Sequence, residues 1–124
     1  MDNVKRLELR LLQTEFPKVK IQDSVTAADF IRKFYSDDIA IFESVYMLLL
    51  NKANITIGFA KISQGGVSGT VIDAKIVAKY AIDALASGVI LAHNHPSGNT
   101  KPSHADISIT KKIKEGLNLL DINL

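Results

Sequence analysis

The stretch that decides the fold is Val89-Ile-Leu-Ala-His-Asn-His-Pro-Ser-Gly98, followed by Asn99-Thr-Lys-Pro-Ser-His-Ala-Asp106. Val89-Ile-Leu-Ala92 is a short run of apolar residues and reads as a buried strand. It leads straight into His93-Asn-His95. Pro96, Gly98 and Pro102 then keep the chain in a loop, and Ser103 opens a last helix with Ile107, Ile109, Ile113 and Leu117 among its apolar residues. A strand, a loop and a helix N-terminus thus bring three chemically active residue types into one neighbourhood.

Working back towards the N-terminus, Asp73 caps a helix whose inner face is Ile76, Val77, Tyr80, Ala81 and Ala84, ended by Ser87-Gly88. Before it, Gln64-Gly-Gly-Val-Ser-Gly-Thr70 is a loop of small residues. It lacks the Gly-Lys-Ser/Thr ending of a phosphate-binding loop, so it is a sheet-to-helix connection. Ile55, Ile57 and Phe59 alternate with Thr56, Gly58 and Ala60, as a strand does. Glu43-Ser-Val-Tyr-Met-Leu-Leu-Leu50 is apolar on both faces and reads as a buried strand; the turn Asn51–Asn54 joins the two as a hairpin. Ser24 or Thr26 caps a helix with apolar residues at Ala27, Phe30, Ile31 and Phe34. Leu7–Phe16 reads as a first strand or N-terminal arm, ended by Pro17. Strands interleaved with helices give an α/β or α+β sandwich of sheet and helices.

Composition limits the chemistry. The chain has 124 residues with 47% hydrophobic and 23% charged residues, which suits one globular domain. It has no Cys, which excludes disulfides, thiolate metal sites and a Cys nucleophile. The net charge of +2 is too small to imply nucleic acid. There is no signal-peptide core and no apolar run of the ~20 residues a membrane helix needs. The expectation is a soluble, cytoplasmic protein with no membrane partner.

His93 and His95 are two apart at a strand end, so their side chains share a face. With Asp106 they make two imidazoles and a carboxylate, a three-ligand zinc set with one position open. A water in that position would have its pKa lowered to about 7. Glu43, a carboxylate at the head of an apolar strand, is the candidate proton shuttle. Ser103 can donate to a developing oxyanion. Ser103-x-x-Asp106 is also an ordinary helix-capping pattern, and the two roles are compatible. His104 lies outside the pattern and reads as a solvated loop histidine. Arg32-Lys33 and Lys111-Lys112 read as solvated helix faces. A Cys-ligated zinc deaminase is excluded by the absence of Cys.

Glu43, then His93-x-His95, seven residues, Ser103, two residues and Asp106 resemble the JAMM (MPN/JAB) metalloprotease motif. The runs Val89–Gly98 and Pro102–Asp106, with Ile62–Thr70 before them, look like the C-terminal domain of RadC-like proteins. The resemblance implies a cytidine-deaminase-like α/β/α sandwich with a mixed sheet flanked by helices. It implies His93, His95 and Asp106 as ligands of one Zn2+ per chain, Glu43 as general acid/base and Ser103 as oxyanion-stabilising residue. JAMM relatives cleave peptide or isopeptide bonds, so a peptide or protein substrate is expected, and the RadC branch carries a DNA-repair label. The alternative class is a non-catalytic module binding DNA or a repair partner. The pattern encodes the chemistry, not the substrate or the oligomeric state.

By this reading residues 1–20 form an N-terminal arm or first strand and residues 21–124 a RadC-like JAB/MPN domain. The chain departs from the family at Ala74-Lys75, where Pro-Arg is common. It also ends at Leu119–Leu124, where relatives continue with a further strand, so the resemblance implies a domain truncated at its C-terminus.

Overall fold

The computed structural model describes residues 3–6, 14, 16–35, 43–65, 72–94 and 104–124, with the main chain alone at 104–106. Among these the elements run α1 (Ser24–Arg32), β1 (Ser44–Leu50), β2 (Thr56–Gln64), α2 (Ala74–Asp83), β3 (Gly88–His93) and α3 (His104–Asn118). The protein is α/β. The expected first strand at Leu7–Phe16 lies mostly outside the described residues.

β1 is the central strand of the sheet, in the order β2-β1-β3. That placement follows from a sequence apolar on both faces. Val45, Met47 and Leu49 pack with Val77 and Ala81 of α2 and Ile113 and Leu117 of α3. Leu48 and Leu50 pack on the opposite face with Ala27, Phe30 and Ile31 of α1. Each buried side chain of this size stabilises the fold by roughly 1.5–3 kcal/mol, so β1 anchors both layers at once. Both pairings are antiparallel, β1–β2 as a hairpin and β1–β3 from Val45–His93 to Leu50–Gly88. The expected mixed sheet is therefore not what the described strands form. Among the described residues parallel geometry is confined to one bridge, Gly88–Asn123, where Val89 N–H donates to Asn123 O at 2.7 Å and Asn123 N–H to Ser87 O at 3.0 Å.

β2 departs from simple alternation. Thr56 is buried and Ile57 exposed, the reverse of what side-chain polarity suggests. Two causes act together. The β1–β2 register shifts between Leu49 and Leu50, which changes the face a residue occupies. Residues 19–21 also run along this end of β2: Val19 N–H donates to Thr56 Oγ1 at 2.8 Å, and Thr56 N–H to Val19 O and Ile21 N–H to Asn54 O at 2.9 and 2.8 Å. The buried hydroxyl is satisfied, so its burial carries little penalty. β2 also runs to Gln64, which the sequence places in a loop.

Helix boundaries follow capping chemistry. α1 is capped by Asp23, one residue before Ser24 and three before Thr26, the caps expected: Asp23 Oδ1 accepts from Thr26 N–H at 2.8 Å and Thr26 Oγ1 at 2.9 Å. These bonds, the main-chain one foremost, hold its carboxyl below the usual value. Phe34 lies beyond α1, yet its ring stacks on Phe59 at 3.9 Å between centroids. Asp73 caps α2 as expected, accepting from Lys75 N–H at 2.8 Å. The buried seam of α2 is narrower than expected: Val77 and Ala81 are buried, but Ile76 and Tyr80 are exposed.

α2 and α3 end in the same way. Leu85 (φ 52°) and Asp121 (φ 57°) are left-handed. Ala86 N–H reaches back to Ala81 O and Ile122 N–H to Leu117 O, both at 3.0 Å. This is the Schellman arrangement, with a buried apolar residue just past each helix. It turns α2 into β3 and α3 towards the Gly88–Asn123 bridge. No helix among the described residues is long and apolar enough to cross a membrane.

Candidate metal centre

β3 delivers His93 to the sheet end at which β1 begins. His93 is the cross-strand partner of Val45. Directly opposed residues share a face, so His93 belongs to the face covered by α2 and α3. It is half-buried and lines a cavity of about 320 Å³ with Ile72, Val89, Leu91, Thr110 and Leu124. Thr110 is the contribution of α3. Position 106 lies one helical turn before Thr110 and shares its face of α3. The fold therefore brings the strand end bearing His93 and the α3 face bearing position 106 to one side of the sheet.

Glu43 immediately precedes β1 and is half-buried. Its carbonyl accepts from Gly65 N–H at 2.8 Å, just past the end of β2. It lies two residues before Val45, which puts it diagonal to His93 across the pair. In regular antiparallel geometry such diagonal Cα atoms are about 7–8 Å apart. The strands therefore carry a carboxylate and an imidazole to the same corner of the sheet.

That corner is fastened by two side chains that motif reading passes over. Ser44, 3% exposed, has its N–H held by Asn94 Oδ1 at 2.8 Å. Its carbonyl accepts from the Tyr35 hydroxyl at 2.9 Å. The same hydroxyl reaches the carbonyl of Ala92 at 3.3 Å. Burial foremost, with Tyr46 nearby, pushes the Tyr35 phenol up to about 12, against an opposing pull from the Asn94 main chain. The signal for Asn94 is its place between the two histidines. Tyr35 leaves no signal beyond following Phe34 at the end of α1.

The other expected site residues are placed less fully. His95 and Ser103 lie outside the described residues. Asp106 falls in the first turn of α3, as the sequence suggests, with only its main chain described. His104 opens α3 and is not a loop residue. The Gln64–Thr70 loop begins only at Gly65, and residues 66–71 lie outside the described set. Ala74-Lys75 forms the first turn of α2. Among the described residues no three His, Cys, Asp or Glu come together as a metal cluster. The donor chemistry nonetheless fits a borderline divalent ion: an imidazole at a cavity wall, facing a helix whose first turn carries a carboxylate.

A second cavity, of about 470 Å³, lies on the opposite face of the sheet among Ala27, Ile31, Leu50, Ile90 and Ala92. It is apolar and remote in character from the His93 corner.

The family model for the RadC-like JAB domain matches residues 21–124. The chain belongs to the RadC-like JAB family. Its RadC-like relatives include a UPF0758 protein of Flavobacterium johnsoniae, 45% identical over 82 residues, covering 66% of this chain and 36% of that protein. A UPF0758 protein of Porphyromonas gingivalis is 38% identical over 119 residues, covering 95% and 52% respectively. One of Neisseria gonorrhoeae is 34% identical over 122 residues, covering 98% and 53%. The RadC-like chain spans about half the length, or less, of these relatives.

Proposed function

We propose that this RadC-like domain is a zinc-dependent hydrolase of amide or isopeptide bonds in a peptide or protein substrate. The observation that supports the reading most is the convergence at one sheet corner. His93 ends β3, Glu43 precedes the neighbouring strand, and the first turn of α3, carrying Asp106, lies on the same side. We infer with it the cytidine-deaminase-like sandwich, the parallel Gly88–Asn123 bridge being the point at which such a sheet becomes mixed.

In this reading His93, His95 and Asp106 hold one Zn2+. When bound, the ion supplies Lewis acidity and a water acidified to near neutrality. Glu43 is not a ligand. Its carboxylate accepts the proton of the attacking water and returns it to the leaving amine. Ser103 donates its hydroxyl hydrogen to the oxygen that becomes negative as the carbonyl is attacked.

The test is metal stoichiometry. Zinc-loaded protein should hold one ion per chain, and His93→Ala and Asp106→Ala should each lose most of it. Glu43→Gln should retain the metal and lose hydrolysis. Equal zinc in the wild type and both ligand variants would remove the reading.

A further inference from the structure

We propose that the cavity beside His93 is a subsite for one apolar side chain of a peptide, and that Thr110 sets its size; that this peptide is the substrate rests on the zinc reading above. Positions 106, 110, 113 and 117 of α3 are four and three residues apart and share one face. Ile113 and Leu117 fill that seam and are 3% and 2% exposed. One turn nearer the site the seam residue is Thr110, shorter than either and a poorer helix former than leucine. The layer between α3 and the sheet is thus filled at Ile113 and Leu117 and left open beside His93, where a space of about 320 Å³ lies. Thr110 is exposed, so the space opens to solvent past α3. A position at which helix propensity and packing are both set aside is one where function is expected to decide the residue.

The walls select the occupant. Val89, Leu91 and His93 stand in one row on the same face of β3, and Ile72 and Leu124 extend the apolar lining. An apolar cavity of about 150 Å³ holds benzene, so this one admits a side chain of the size of leucine. It lies at the low end of ligand-pocket volumes, roughly 300–1,000 Å³, and takes a side chain rather than a length of chain. A charged or amide side chain would lose its water there without gaining partners. His93 is itself part of the wall, which makes the cavity continuous with the candidate metal centre. Leu91 lies about 7 Å back along the strand from His93. A peptide whose scissile bond lies at His93 therefore has its flanking side chain within reach of the cavity.

The experiment titrates the whole chain, free of metal, with N-acetyl-leucinamide and follows the methyl signals by NMR. The methyls of Ile72, Val89 and Leu91 should move together, with that of Ala92 on the opposite face unchanged. N-acetyl-alaninamide should bind about tenfold more weakly or worse, because missing methylenes in such a pocket cost at least that much. N-acetyl-asparaginamide, with leucine's shape and an amide the walls cannot pair, should leave the signals unmoved. Thr110→Leu continues the apolar seam, so it should raise the Tm while weakening N-acetyl-leucinamide about tenfold. Ile107→Ala, on the same helix but outside the cavity, should bind as the wild type does. Unmoved Val89 and Leu91 methyls, shifts centred on Ala92, or a Thr110→Leu variant that binds as tightly as the wild type would each overturn the subsite. In zinc-loaded protein, cleavage of a peptide mixture should favour leucine or methionine beside the bond over asparagine, and Thr110→Leu should move the preference towards alanine. Cleavage without such a preference would overturn the substrate role. If the wild type binds no zinc, the hydrolase reading fails, and the metal-free titration still decides the subsite.

Discussion

Tyr35, just past the end of α1, donates its hydroxyl to the carbonyl of Ser44 at 2.9 Å, so the helix layer on one face of the sheet is pinned to the strand end that carries Glu43. Burial raises the phenol from 10.0 to about 12. A phenol that keeps its proton longer when folded than when unfolded contributes stability below pH 10. That contribution fades as pH rises from about 10 to about 12, because there the unfolded chain has released a proton the folded chain still holds. Denaturant midpoints measured across this window should fall with pH, and Tyr35→Phe should flatten the slope. In an absorbance titration of the three tyrosines, the highest-pH step should vanish in the same variant. An unaltered high-pH step would show that Tyr35 is not the group held protonated.

Zinc should stabilise the fold as well as complete the proposed site. A ligand bound only by the folded state adds about 2.7 kcal/mol at a free concentration of 100 Kd. The Tm of wild type should rise with added zinc and return on chelation. His93→Ala should show little of that rise. A zinc-induced shift of equal size in wild type and His93→Ala would place the bound metal elsewhere.

Leu85 holds the left-handed position that ends α2, a place where glycine is the usual occupant. The residue is 83% exposed, so its side chain offers little packing in return. Leu85→Gly should stabilise the protein by roughly 0.5–1 kcal/mol, the relief of strain less the larger chain entropy of glycine. Thermal unfolding should show a Tm a few degrees higher, whereas a lower Tm would mean the leucine makes a contact worth more than the strain.

Thr56 is buried with its hydroxyl accepting from Val19 N–H. Thr56→Val keeps the shape and removes the acceptor, leaving a donor unpaired. The expected cost is about 1–3 kcal/mol. Limited proteolysis should then cut before Ile21 faster than in wild type. No change in either measure would show that solvent replaces the bond freely.

Most of the fold was legible where one physical rule dominated. β1 was readable because a strand apolar on both faces must be central. α2 was readable from Asp73, whose carboxylate has no better use than capping. The faces taken by Thr56 and Ile57 were not legible, because a register shift and the segment at residues 19–21 decide them, and neither leaves a local trace. The β1–β2 hairpin was legible from its turn, but the direction of β3 against β1 was not, because strand direction there depends on long-range pairing. At the candidate site, the places of Glu43 before β1, His93 at the end of β3 and position 106 in the first turn of α3 were legible from the strand and helix patterns that carry them. Tyr35 and Asn94 were not, since their role is to bond the main chain of Ser44, a partner no sequence pattern marks.

The central position of β1 divides the protein for anyone wishing to re-engineer it. Every side chain from Ser44 to Leu50 except Tyr46 is buried, so a change there disturbs core and corner together and selects mainly for misfolding. Ile76 and Tyr80 on α2 and Ile107 on α3 are exposed on helices that cover the His93 face. A library randomised at those three positions varies the outer surface of these helices while the strand that holds the corner remains intact.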